Sequence, residues 1–173
     1  MCQIKSIPLP DNSGLNGRYK GNKLTIRMKK IQIINGPNLN FLGIREPDIY
    51  GKNTFAQLLA SLDSWGKELG IELEQYQSNH EGDLVDRIQE AYEKVDGIVI
   101  NPAAYTHTSV ALLDVLKAVA IPTVEVHISD VAAREDFRQI SYVRPACIAT
   151  VTGRGFAGYL DAVDILLKGA AES

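Results

Sequence analysis

The stretch Ile31-Gln32-Ile33-Ile34-Asn35-Gly36-Pro37-Asn38-Leu39-Asn40-Phe41-Leu42-Gly43-Ile44-Arg45-Glu46-Pro47-Asp48-Ile49-Tyr50-Gly51 opens on a β-branched run that breaks into Asn-Gly-Pro-Asn. Such punctuation after an apolar run reads as a strand entering a loop. In α/β proteins, ligands bind beyond the carboxyl ends of the strands. A phosphate-binding turn would pass straight into a helix, but no helix signal appears before Thr54. Long loops in compact domains are commonly functional. The loop therefore reads as a lid, with Asn38 at its root and Arg45 and Tyr50 further along.

Strand and helix patterns alternate from there onward. Thr54 with Gln57 forms a capping-box signature. Phe55, Leu58, Leu59, Leu62, Trp65 and Leu69 then recur at helical spacing until Gly70. Residues Ile71 to Gln77 alternate apolar and polar, as in a half-exposed edge strand. A helix is expected from about Glu81, with Leu84, Val85, Ile88, Ala91, Tyr92 and Val95 as its stripe. Ile98-Val99-Ile100 is wholly apolar, the mark of a central parallel strand. A helix from about Thr108 to Ala120, a strand from Thr123 to Ile128, a strand from Cys147 to Thr152 and a helix from Gly155 to Lys168 complete the series. The pattern predicts an α/β fold, a flavodoxin-like doubly wound five-stranded parallel sheet with helices on both faces.

Residues 1–29 differ from the rest. They are rich in Pro, Gly and Asn without sustained periodicity and read as a disordered amino-terminal extension, with one possible short strand at Leu24-Thr25-Ile26. Residues 30–173 read as a single domain, and Met28 as the natural start. The chain has 173 residues, 45% hydrophobic and 23% charged, which suits one domain with a full core. A net charge of -3 argues against a broad nucleic-acid surface. No apolar run reaches the length needed to span a bilayer, and no secretory signal pattern opens the chain. Two distant cysteines, Cys2 and Cys147, make no disulfide framework or zinc motif, so a reducing, cytoplasmic setting is expected.

Parallel topology brings the polar residues that follow the strands to one edge of the sheet. Asn38, Arg45 and Tyr50 follow the first strand; Asn101 and His107 follow the third; Glu125, His127, Ile128, Ser129, Arg134 and Arg138 lie on or after the fourth. Glu125 and His127 leave the same face of a strand expected to be buried. A buried carboxylate needs a partner, and an imidazole held by a carboxylate has a fixed tautomer and raised basicity, as acid–base catalysis requires. A structural ion pair is the bland alternative; placement at a strand end beside Ser129 favours catalysis. A nearby Arg45 would favour the phenolate of Tyr50, although a loop tyrosine is more often a packing residue. Asn38 and Asn101 could be turn residues, and His107 could help cap a helix. Asp114 is set opposite the Leu112–Leu116 stripe, as a solvated residue or one serving a neighbouring subunit. His80 reads as capping context, and Gly153-Arg154-Gly155 as turn geometry. The three histidines show no metal-ligand spacing, and no dinucleotide or Walker motif is present.

Six segments then occur in order: Asn35-Gly36-Pro37-Asn38-Leu39; Arg45-Glu46-Pro47 with Tyr50-Gly51; Gln77-Ser78-Asn79-His80-Glu81-Gly82; Asn101-Pro102-Ala103-Ala104-Tyr105-Thr106-His107-Thr108-Ser109; Glu125-Val126-His127-Ile128-Ser129; and Ala133-Arg134-Glu135-Asp136-Phe137-Arg138. Together they resemble the type II 3-dehydroquinate dehydratases, over nearly everything after Met28. The resemblance implies a flavodoxin-like subunit in a homododecamer built of trimers. It also implies dehydration of 3-dehydroquinate to 3-dehydroshikimate in the shikimate pathway, with no cofactor, metal or Schiff base. Carried over by motif, Tyr50 would be the base, kept ionised by Arg45. Asn38 would stabilise the enolate through a water, and His127, oriented by Glu125, would protonate the leaving hydroxyl. Ile128 and Ser129 would hold the substrate carboxylate. Asn101, His107 and Arg138 would bind ring hydroxyls, Arg134 would act from the lid, and Asp114 would reach an adjacent subunit's site. Asp130 and Ala132 depart from the family pattern, where Asn and His are common.

The rival readings are a receiver-like signalling module and a flavin-binding module. The first needs an acidic cluster where this chain has Asn35-Gly36-Pro37-Asn38. The second needs a phosphate loop that the long first loop precludes.

Overall fold

The structure, a computed structural model, describes residues 28–44, 53–131 and 135–172. Arg45, Tyr50, Arg134 and the suggested strand at Leu24-Thr25-Ile26 lie outside these residues. Five parallel strands form one sheet: β1 (Lys30–Asn35), β2 (Glu72–Gln77), β3 (Gly97–Asn101), β4 (Thr123–His127) and β5 (Ala149–Thr152). Their order is β2-β1-β3-β4-β5, the flavodoxin-like arrangement expected. The alternating β2 is indeed an edge strand, while β3, with its apolar Ile98-Val99-Ile100 run, is central and buried at every position. Four helices connect and cover them: α1 (Phe55–Leu69), α2 (Glu81–Glu90), α3 (Val110–Val119) and α4 (Ala157–Glu172).

The strand period of two divides the core between the faces. Ile31, Ile33, Val99, Val124 and Val126 pack with α1 and α4. Ile34, Ile98 and Ile100 pack with α2 and α3. Helix α1 carries the predicted capping box: Gln57 N–H donates to Thr54 Oγ1 at 3.3 Å, and Thr54 N–H donates to the Gln57 side chain at 2.8 Å. Gly70 ends it in the left-handed conformation, its φ being 69°.

Several expected boundaries move. The helix expected from about Thr108 to Ala120 is α3, which begins at Val110 with the Ser109 side chain as its cap, and a separate 3-10 helix at Ala103–His107 precedes it. Thr108, with φ -136° and ψ -22°, breaks the run between them. Tyr92 is 53% exposed because α2 ends at Glu90, before the expected stripe is complete. Cys147 and Ile148 precede β5, since Pro145 lies in a 3-10 turn at Arg144–Ala146 immediately before them. His80 does stand at the amino-terminal cap of α2, but its side chain makes no cap bond. Among the described residues, no helix is long and apolar enough to cross a membrane.

Candidate active site

Strands β1, β3 and β4 end together, and a cavity of about 100 Å³ opens beyond them. That is several times the roughly 10–15 Å³ one water requires, enough for a small polar ring. Asn38, Asn101, His107, His127, Ile128, Ser129 and Arg138 all line it, on an otherwise partly apolar wall that includes Leu39 and Leu42. Residues scattered over a hundred positions of sequence thus meet at the carboxyl edge, as the topology requires.

Glu125 is 0% exposed, the residue in β4 for which burial is hardest to reconcile with charge. Its Oε1 accepts from His127 Nε2 at 2.8 Å. It also accepts from the Thr106 hydroxyl and, at 3.0 Å, from Ser141 Oγ. Thr150 Oγ1 donates to Oε2 at 3.3 Å, and Arg144 Nε stands 3.8 Å from the same oxygen. Burial alone pushes this carboxyl up. The hydrogen bond and charge of His127, with the Thr106 and Ser141 hydroxyls, outweigh it and hold the group below the ordinary carboxylate value. The carboxylate therefore persists, and it fixes the proton of His127 on Nε2, leaving Nδ1 as the nitrogen not engaged by Glu125.

His107 is set by a second constraint. Its Nδ1 lies 2.7 Å from the Ile140 carbonyl, which can only accept, so Nδ1 carries the proton. The neighbouring Tyr142 N–H donates to the Thr106 carbonyl at 2.7 Å. These bonds fasten the segment after Arg138 to the 3-10 helix that carries His107. Arg138 itself is oriented by Glu135, which accepts from its Nε at 2.9 Å.

Asn38 has φ 65°, so the turn reading is correct for its backbone, and it also lines the cavity. Asn79 holds that turn: its Oδ1 accepts the Asn38 N–H at 2.9 Å. The Gln77 amide reaches both Asn79 Oδ1 at 3.2 Å and the Gly36 carbonyl at 3.3 Å. Asn101 is buried, with both ends of its amide engaged by the scaffold, through Tyr159 and the Ala103 N–H. Asp114 is exposed on α3 and is not among the cavity walls. Arg45, Tyr50 and Arg134 lie outside the described residues. The chain leaves them at Ile44, two residues past Leu42 on the cavity wall.

Sequence reading missed Thr106, Ser141 and Thr150 as partners of Glu125, Asn79 as the clamp on Asn38, and Tyr159. The buried carboxylate demanded partners, but nothing in the spacing of hydroxyl residues says which would arrive. Among the described residues, no group of three or more His, Cys, Asp or Glu side chains could hold a metal ion.

A flavodoxin-like sheet with a carboxylate-held histidine at its carboxyl edge defines an α/β protein built for acid–base chemistry on a small polar ligand. The family model described as "Dehydroquinase class II" matches residues 29–167, and the chain belongs to that family. The 3-dehydroquinate dehydratase of Endomicrobium trichonymphae is 53% identical over 136 residues, covering 79% of this chain and 95% of its own. That of Caldicellulosiruptor bescii is 54% identical over 137 residues, covering 79% and 94%. The crystal structure of the type II dehydroquinase from Butyrivibrio crossotus is similar with a TM-score of 0.79 and 52% identity, over 80% of this chain and 97% of that one.

Proposed function

We propose that this chain is a hydro-lyase that converts 3-dehydroquinate to 3-dehydroshikimate by anti elimination through an enolate, in the shikimate pathway to chorismate and the aromatic amino acids. The observation that carries this reading is the buried Glu125 carboxylate holding His127 Nε2 at 2.8 Å, with His127 on the cavity wall. Elimination beside a ketone needs a base, a donor for the developing oxyanion and an acid for the leaving group.

In this reading Tyr50, ionised beside Arg45, takes a proton from the carbon next to the ketone. The C–H electrons move into the enolate, whose oxygen is held by Asn38 through a water. The enolate then re-forms the carbonyl as the C–O bond breaks. His127, protonated on both nitrogens and with its charge balanced by Glu125, gives its Nδ1 proton to the departing hydroxyl, which leaves as water. The ring returns to the neutral form, with Nε2–H held by Glu125. Ile128 and Ser129 hold the substrate carboxylate, partly through backbone N–H groups. Asn101, His107 and Arg138 take the ring hydroxyls, and Arg134 acts on the substrate from the lid. No cofactor or metal is required. The catalytic domain runs from residue 30, acts in the cytoplasm, and assembles as a homododecamer of trimers in which Asp114 serves an adjacent site.

The purified chain is expected to convert 3-dehydroquinate to an enone absorbing in the ultraviolet, and to keep its activity when treated with borohydride in the substrate's presence. His127→Ala and Tyr50→Phe should each lower kcat by roughly a hundredfold. No enone above background would overturn the reading, and borohydride inactivation would point to an imine mechanism instead.

A further inference from the structure

The Glu125–His127 pair and Asn101 leave opposite faces of the sheet. Ile100 stands in register with Glu125, whereas Asn101 shares the face of Val99 with α4. Tyr159 of α4 fills that second face, with no exposed surface, and its hydroxyl sits between two amides. It donates to Asn35 Oδ1 at 2.6 Å and accepts from Asn101 Nδ2 at 2.9 Å. Ala103 N–H donates to Asn101 Oδ1 at 3.2 Å.

These bonds have a direction. A backbone N–H can only donate, so Ala103 settles which end of the Asn101 amide is oxygen. Asn101 Nδ2 must then face the tyrosine oxygen, whose own proton goes to Asn35 Oδ1. Burial pushes the Tyr159 hydroxyl well above its ordinary value, so it keeps that proton at every working pH. An amide nitrogen carries two protons, and only one is taken by Tyr159. Asn101 also lines the cavity.

We propose that Tyr159 is a positioning residue that locks the Asn101 amide, so that this wall of the cavity offers the bound ring an N–H donor and not a carbonyl acceptor. The inference rests on the assignment of Asn101 to ring hydroxyls made above. A fixed donor favours a ligand oxygen at that place without reorganisation on binding. It should act equally on ground state and transition state, which raises KM on its loss while leaving kcat nearly unchanged.

A double-mutant cycle tests it. Tyr159→Phe should raise KM for 3-dehydroquinate about fivefold, the value of one hydrogen bond, with kcat close to wild type. On an Asn101→Ala background, the same change should leave KM where Asn101→Ala put it. An equal fold-increase in both backgrounds would make Tyr159 a purely structural residue and overturn the proposal. Exchange of the Asn101 side-chain amide protons, followed by nitrogen-15 NMR, reads the lock without turnover. The proton directed at Tyr159 should be protected in the wild-type chain and lose protection in Tyr159→Phe, whereas its partner, which faces the cavity, should exchange in both. Rapid exchange of both Asn101 protons in the wild type would overturn the proposal even if Tyr159→Phe does not fold. Absence of turnover by the wild type would defeat the dehydratase reading alone, and the amide exchange would then decide the role of Tyr159.

Discussion

A carboxylate inside a parallel sheet has no bulk water to solvate it, so neighbouring donors must hold its charge. Around Glu125, one imidazole and three hydroxyls do this, with Arg144 behind them. Because the folded carboxyl lies below its ordinary value of 4.5, ionisation stabilises the native state above that value. The stabilisation fades as pH falls through the lower, folded value. Glu125→Gln removes the charge at every pH. Its stability deficit against wild type should therefore be about 2 kcal/mol near neutral pH and shrink steadily on acidification below 4.5. Urea unfolding of the two proteins across that range measures the difference, and a deficit independent of pH would show that the carboxylate's charge contributes nothing. Cys147 is a contrasting case nearby. Burial, and next the charge of Glu125, push its thiol up to about 12, which keeps it an inert thiol beside the Glu125–His127 pair.

At the scale of the element, the site depends on how closely the ends of β1 and β3 approach. Gly36 N–H donates to the Asn101 carbonyl at 2.8 Å. A Cβ on Gly36 would fall 2.5 Å from the Pro102 carbonyl oxygen, a backbone atom that cannot swing aside. Gly36→Ala must push the two loops apart and displace Asn38 and Asn101 together. It should lower stability by about 1–3 kcal/mol and reduce kcat/KM as well, measured by urea unfolding and steady-state kinetics. Unchanged stability with unchanged kinetics would mean that the loops accommodate the methyl group. The sequence announced this turn by Asn-Gly-Pro-Asn but could not say which neighbour made the glycine necessary, since Pro102 is far along the chain. The same division holds elsewhere. Apolar runs and the capping box at Thr54 are local signals, and they located the strands and α1. The exact start of α3 depends on Ser109 winning the cap from Thr108, a choice between adjacent hydroxyls that pattern does not resolve. Glu125 with His127 was legible because two residues on one strand must share a face. Ser141, Thr150 and Tyr159 were not, because tertiary packing alone brings them to the site.

For the whole molecule, Asp114 raises the question of how many chains make one site. It is exposed on α3, away from the cavity walls of its own subunit, while His107, Ser129 and Arg138 line that cavity. An aspartate placed so can help catalysis only if another copy carries its own cavity to it, which is the arrangement proposed for the trimer. Complementation separates this from an unimportant surface charge. Asp114→Ala chains keep an intact His127 but would lack the carboxylate supplied to their neighbours. His127→Ala chains would have a dead site but would still offer Asp114. Each variant alone should be poorly active, and oligomers mixed by denaturation and refolding should recover part of the wild-type rate. The recovered sites are those of Asp114→Ala chains seated against a His127→Ala neighbour. If Asp114 worked within its own subunit, mixing would give only the average of the two parents. If it had no role, Asp114→Ala would be as active as wild type before any mixing. Kinetics of the mixture as a function of the ratio of the two chains therefore count the subunits that contribute to one site.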